Sequence, residues 1–181
     1  MMVPKEHFRI MAVLTTAFLA LLITDVARES SPGGMCRTEP IRRNLHRLQT
    51  ILFTAEDQFE ALHGQNECEQ LLLMQSVVGH LKDYLLPHLA AEEAVLYPAA
   101  ERQVPGPAAS LTTVLVREHA IMRRWIQEME ELATRSMPDT DAFIRRGERL
   151  LGLIESHFEL DEGLLFPILD EASPPPEVAS P

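Results

Sequence analysis

HLAAEEAVLYP, residues 88–98, and HFELDEGLLFP, residues 157–167, are two versions of one pattern. Together they read H-x-x-x-[ED]-E-x-x-L-[YF]-P, with the copies 69 residues apart. A histidine and an acid four residues apart share one face of an α-helix, rotated by roughly 40°. The next acid, Glu93 or Glu162, is rotated from its histidine by roughly 140° and points elsewhere. A single H-x-x-x-E is common by chance. Two copies with the same L-[YF]-P ending are not, and each follows a helical stretch with one early histidine, His46 or His119. The chain therefore reads as two copies of a helical hairpin.

Four helices fit around the motifs. The first runs from Thr38, as N-cap, to Leu62, with Ile41, Leu45, Leu48, Leu52, Ala55, Phe59 and Leu62 at spacings of three and four. His63-Gly64-Gln65-Asn66 ends it. The second spans 67–102, with Pro87 and Pro98 as kink points. The third spans 108–135 and the fourth 140–171, joined by Ser136-Met137-Pro138-Asp139. Short connections make neighbours antiparallel, so the expected fold is all-α, an up-down-up-down four-helix bundle over residues 38–172.

The ends read differently. Residues 1–37 hold an apolar segment and a linker, and residues 173–181 a Pro-rich tail without a packed core. The apolar run from Phe8 to Val26 contains Arg9 and Asp25, and a spanning helix needs about 20 apolar residues. It reads as an over-extended translation start before Met35, with a signal or anchor as the alternative. The expected location is cytoplasmic, with a membrane in play only if residues 8–26 are an uncleaved anchor.

Composition excludes several classes. A net charge of −11 argues against an electrostatic grip on nucleic acid. No Gly-rich phosphate loop appears. Cys36 and Cys68 form no CxxC, which leaves no cysteine zinc module or disulfide scaffold and suits a reducing compartment.

The chemistry lies in the apolar stripes. His88 falls on Met74, Val77, Leu81, Leu85, Glu92 and Val95; His157 on Phe143, Leu150, Leu153, Asp161, Leu164 and Ile168. His119 falls on Leu115, Met122, Ile126, Met129 and Ala133. The four histidines His46, His88, His119 and His157 stand at similar distances from the interhelix turns, hence at one height. Each unpaired buried charge costs several kcal/mol, and a shared cation offsets that cost. Imidazole and carboxylate at helical spacing suit iron first, then manganese or zinc. His46 is off its leucine stripe by roughly 140°, and Glu39 is another candidate at that height. His7, His63 and His80 read as structural or surface residues.

These residues resemble the hemerythrin-like, or HHE cation-binding, family over about residues 38 to 172; Arg117-Glu118-His119 adds to the two motifs. The resemblance implies a bundle with two iron ions, oxo- or hydroxo-bridged. By position, Glu92 and Asp161 would bridge the ions, His88 with His46 would hold one, and His119 with His157 the other. Two positions depart from the oxygen-carrying members: Arg123 stands where they have a second histidine, and their last carboxylate would fall on Glu162 instead of Asp161.

The resulting expectation is a metal- and ligand-binding protein more than an enzyme. It would bind or sense dioxygen, nitric oxide or peroxide between walls that include Leu81, Tyr84, Leu85, Met122 and Ile126. A di-iron redox enzyme or iron-delivery protein is one alternative; a metal-free helical interaction module is another.

Overall fold

The computed structural model describes residues 38–171. The expected N-terminal segment over 1–37 and tail over 173–181 lie outside the described residues. Among the described residues there are four long helices and no strand. Helix α1 is Glu39–Leu62, α2 covers residues 67–103, α3 is Pro107–Ala133, and α4 covers residues 140–171. Helix α1 packs on α2 and α4, α2 on α3, and α3 on α4, which closes the bundle. Among the described residues, no helix is long and apolar enough to cross a membrane.

Local chemistry sets the boundaries. Asn66 caps α2 through a reciprocal box: its side chain accepts from the Glu69 amide, and the Glu69 carboxylate accepts from the Asn66 amide. Such a cap stabilises a helix by about 1 kcal/mol. Asp139 caps α4 by accepting from the Ala142 amide at 3.0 Å. Gly106 holds φ +93°, a conformation that disfavours side chains, and hands over to Pro107 at the first turn of α3. Thr38 does not cap α1 with its side chain. Its hydroxyl donates to Asp170 at 2.7 Å, and Arg42 pairs with the same carboxylate, fastening the start of α1 to the end of α4.

The core is mostly apolar, and the whole leucine stripe of α1 is buried. Phe59 lies against Gly147 of α4 so closely that any Cβ there would strike its ring. Phe143 meets the same ring edge-on at a centroid distance of 5.9 Å.

The prolines do not break the helices. Pro87, Pro98 and Pro167 each follow a single π-turn, at Leu81–Leu85, Glu92–Leu96 and Asp161–Leu165. In each case the residue before the proline donates to the carbonyl five positions back: Leu86 to Leu81, Tyr97 to Glu92, Phe166 to Asp161. Proline lacks the N–H for the regular bond, and its ring crowds the carbonyl four residues back. One extra residue in the turn makes room while the helix continues.

The insertion also corrects the stripes. Val95 and Leu164, expected to face inward, are half-buried and 50% exposed. Leu96, Tyr97, Leu165 and Phe166 are buried instead, because each π-turn shifts the register by one residue.

Candidate metal centre

The two H-x-x-x-[ED] segments carry their ligands up to the mouths of two π-turns, which Glu92 and Asp161 open. His88, Glu92, His119, His157 and Asp161 are all buried, at 1% exposure or less. Three helices supply them: α2, α3 and α4.

Glu92 is the centre. Its Oε1 lies 3.0 Å from His88 Nε2. Its Oε2 lies 3.2 Å from His119 Nε2 and 3.4 Å from His157 Nε2. Asp161 Oδ2 lies 3.4 Å from His157 Nε2. Two groups therefore share one carboxylate: Glu92 with His119 and His157, and Glu92 with His88 and Asp161.

The imidazoles are held from behind. The outer nitrogen of His119, Nδ1, donates to Glu93 at 2.8 Å, and that of His157 donates to Glu118 at 2.9 Å. This network assigns the proton to Nδ1 and turns each Nε2 inward, as in carboxylate-backed metal histidines. Glu93 and Glu118 were not among the residues expected at the site. Glu93 does point away from His88, but α3 brings His119 to it. Glu118 precedes His119 in the Arg117-Glu118-His119 run, which was its signal in the sequence. Arg123, at the position of the absent histidine, pairs with Glu93 at 2.8 Å and reaches no closer.

The donors fit a cation. His119 Nε2 has three neighbours within 3.2 Å: Tyr97 Oη, His157 Nε2 and Glu92 Oε2. One ring nitrogen has a single in-plane site for a proton or an ion. Beside them, His88 Nε2, Glu92 Oε1 and both Asp161 oxygens are buried without a hydrogen-bond partner. The 3.0 Å approach of His88 to Glu92 meets the distance for a bond but not its alignment. Unpaired buried polar atoms cost about 1–3 kcal/mol each. An ion among them satisfies all four.

Electrostatics agrees. Burial opposes the ionisation of Glu92, but the nearby His88 and hydrogen bonds from His119 and His157 hold it well below the ordinary carboxylate range. Burial and then the Glu92 charge push Asp161 up to about 9. Burial lowers His157, but Glu92, Asp161 and Glu118 outweigh it and raise it to about 9. Burial, then Glu92 and Asp161, push the Tyr97 phenol far above its ordinary value. Burial opposes ionisation of Glu93 too, and bonds from Arg123 and His119 reverse this, holding it below the usual value. Without an ion, protons neutralise the cluster; a cation takes their place.

A pH dependence follows for the metal-free chain. Asp161 and His157 bind protons more tightly folded than unfolded, from ordinary values of 3.8 and 6.5. Their contribution is present at low pH and is lost as pH rises through about 9. Both act between about 6.5 and 9, so chelator-treated protein is expected to melt at falling temperatures across that window. Glu92 acts in the opposite sense, at the acid end. A melting temperature constant over that window contradicts this picture.

Several expectations are corrected. His46 is exposed, with its Nδ1 on Gln49 at 3.1 Å, and does not reach the cluster. The inward face of α1 is apolar, and His46 lies on its other side. The side chain of Glu39 lies outside the described residues. Asp161, not Glu162, turns inward; Glu162 is exposed and lines a surface cavity with Glu155 and Glu159. Tyr84 is 37% exposed and lines a different cavity of about 290 Å³ with Asn44, Arg47 and His80. Leu81, Leu85, Met122 and Ile126 are buried as expected.

A helical bundle whose buried histidines and carboxylates converge on one shared acid is a cation-binding bundle. The sequence matches the model of the Hemerythrin HHE cation binding domain over residues 40–169, and the chain belongs to that family. No curated protein and no solved structure matches the chain.

Proposed function

We propose that this protein holds two iron ions and uses them to bind or sense dioxygen, nitric oxide or peroxide. The observation that supports this best is the set of unpartnered buried donors on His88, Glu92 and Asp161, directly beside His119 and His157. Iron suits the mixture of imidazole and carboxylate, ahead of manganese and zinc. Neighbouring helices running antiparallel complete the picture, as their short connections favour.

The chain's own residues have distinct roles. Glu92 would help to hold both ions, since one of its oxygens lies beside His88 and the other beside His119 and His157. His119 and His157 present Nε2 because Glu93 and Glu118 hold Nδ1. Asp161 balances the charge on the His88 side. Each group has three protein donors, fewer than iron commonly takes, which would leave room for a small external ligand. The buried side chains of Leu81, Leu85, Met122 and Ile126 exclude bulk water from the core. Bound iron supplies the redox and ligand-binding chemistry. A reducing, cytoplasmic setting suits such a centre, and Cys68 is a free thiol.

The test is metal analysis with an absorption spectrum on the aerobically purified full chain. About two irons per chain, with bands that respond to dioxygen, nitric oxide or peroxide, is the expected result. A cooperatively folded chain that takes up no iron overturns the reading and leaves the interaction module.

A further inference from the structure

Tyr97 is the aromatic of its motif, but it was not among the expected ligands. It is 3% exposed, and its hydroxyl lies 2.9 Å from His119 Nε2 and 3.4 Å from Glu92 Oε2. In a regular helix a residue five positions beyond Glu92 faces away from it, by roughly 140°. Here residues 92–96 form a π-turn, in which positions five apart are bonded and stack. Pro98 follows that turn and leaves no N–H to restore the regular register. The proline thus swings the phenol back over Glu92.

The second repeat supplies the contrast. It has the same π-turn and the same proline, but Phe166 occupies the equivalent position. Phe166 is fully buried, has no hydroxyl and lies under the Arg42 guanidinium. The two repeats therefore differ at this position by one hydroxyl. One group has two imidazoles, the shared carboxylate and a phenol within reach. The other has one imidazole and two carboxylates.

We propose that Tyr97 is a fourth protein donor to the ion held by Glu92, His119 and His157. This rests on the iron-binding reading above. On loading with ferric iron, the phenol O–H bond breaks, the oxygen–iron bond forms, and the proton leaves to solvent. No electron is transferred in this step. The phenolate is a hard anionic donor, so that position favours the ferric state over the ferrous. The two ions are then inequivalent, with the external ligand directed to the His88 side.

The experiment compares full-length wild type, Tyr97→Phe and Tyr84→Phe, each loaded with ferric iron. The readouts are iron per chain, the visible spectrum and resonance Raman scattering. The sequence has two tyrosines, so the comparison isolates the donor. Wild type is expected to show a visible phenolate-to-iron charge-transfer band with tyrosinate vibrations. Tyr84→Phe is expected to keep both. Tyr97→Phe is expected to lose both while still holding iron, since the fold already takes phenylalanine at the matching position 166. Iron bound by wild type without tyrosinate vibrations overturns the proposal, as does a band that survives Tyr97→Phe. If Tyr97→Phe binds no iron at all, tyrosinate scattering in wild type together with Tyr84→Phe decides it. No iron in wild type overturns the iron-binding reading itself, and this inference with it.

Discussion

Glu92→Gln is expected to empty both cation positions. Glu92 faces His88 through one oxygen and His119 and His157 through the other, and it is fully buried. Glutamine keeps the volume but removes the charge. It also turns an NH2 group toward the imidazole Nε2 lone pairs, where it would donate a hydrogen bond in place of an ion. Loss of an outer-shell partner alone costs roughly 10- to 100-fold in metal affinity. Loss of the acid common to both groups should cost more, taking iron below detection in elemental analysis. His46→Ala and Glu162→Gln are expected to keep wild-type iron, because both side chains are exposed away from the cluster. Wild-type iron in Glu92→Gln would sink the assignment of Glu92 as the shared ligand.

Removing the metal is expected to lower thermal stability sharply. The core holds two carboxylates and three imidazoles in two ion-sized groups that share Glu92. An ion that binds only the folded chain at a thousand times its dissociation constant adds about 4 kcal/mol. For a chain of this size that corresponds to a shift on the order of 10 °C in melting temperature. Scanning calorimetry with iron and with chelator should show this difference, and Glu92→Gln should melt at one temperature in both. Equal melting of wild type with and without iron would mean that the ion does not occupy the buried cluster.

Much of this was legible in the sequence, for particular reasons. The two H-x-x-x-[ED] motifs depend only on helix pitch, so His88 with Glu92 and His157 with Asp161 needed no tertiary information. His119 followed from its place on an apolar stripe. The family follows from the same motifs and matches residues 40–169. His46 was included for its expected height, but it lies off the buried leucine stripe of α1 and is exposed.

What the sequence by itself determined, then, is the number of helices, most of their apolar faces, and a set of six candidate residues that includes the five that meet in the core. Local periodicity and turn chemistry fix these. Only the tertiary structure decided which groups stand behind and beside them. Glu93 reaches His119 and Glu118 reaches His157 across helix interfaces, which no single-helix pattern encodes. The π-turns before Pro98 and Pro167 move each following residue by one position, away from the regular pitch on which the stripes were drawn. Tyr97 enters the cluster, and Val95 and Leu164 leave the core, because a proline-induced insertion accumulates in the helical register and packing then selects the face that is buried.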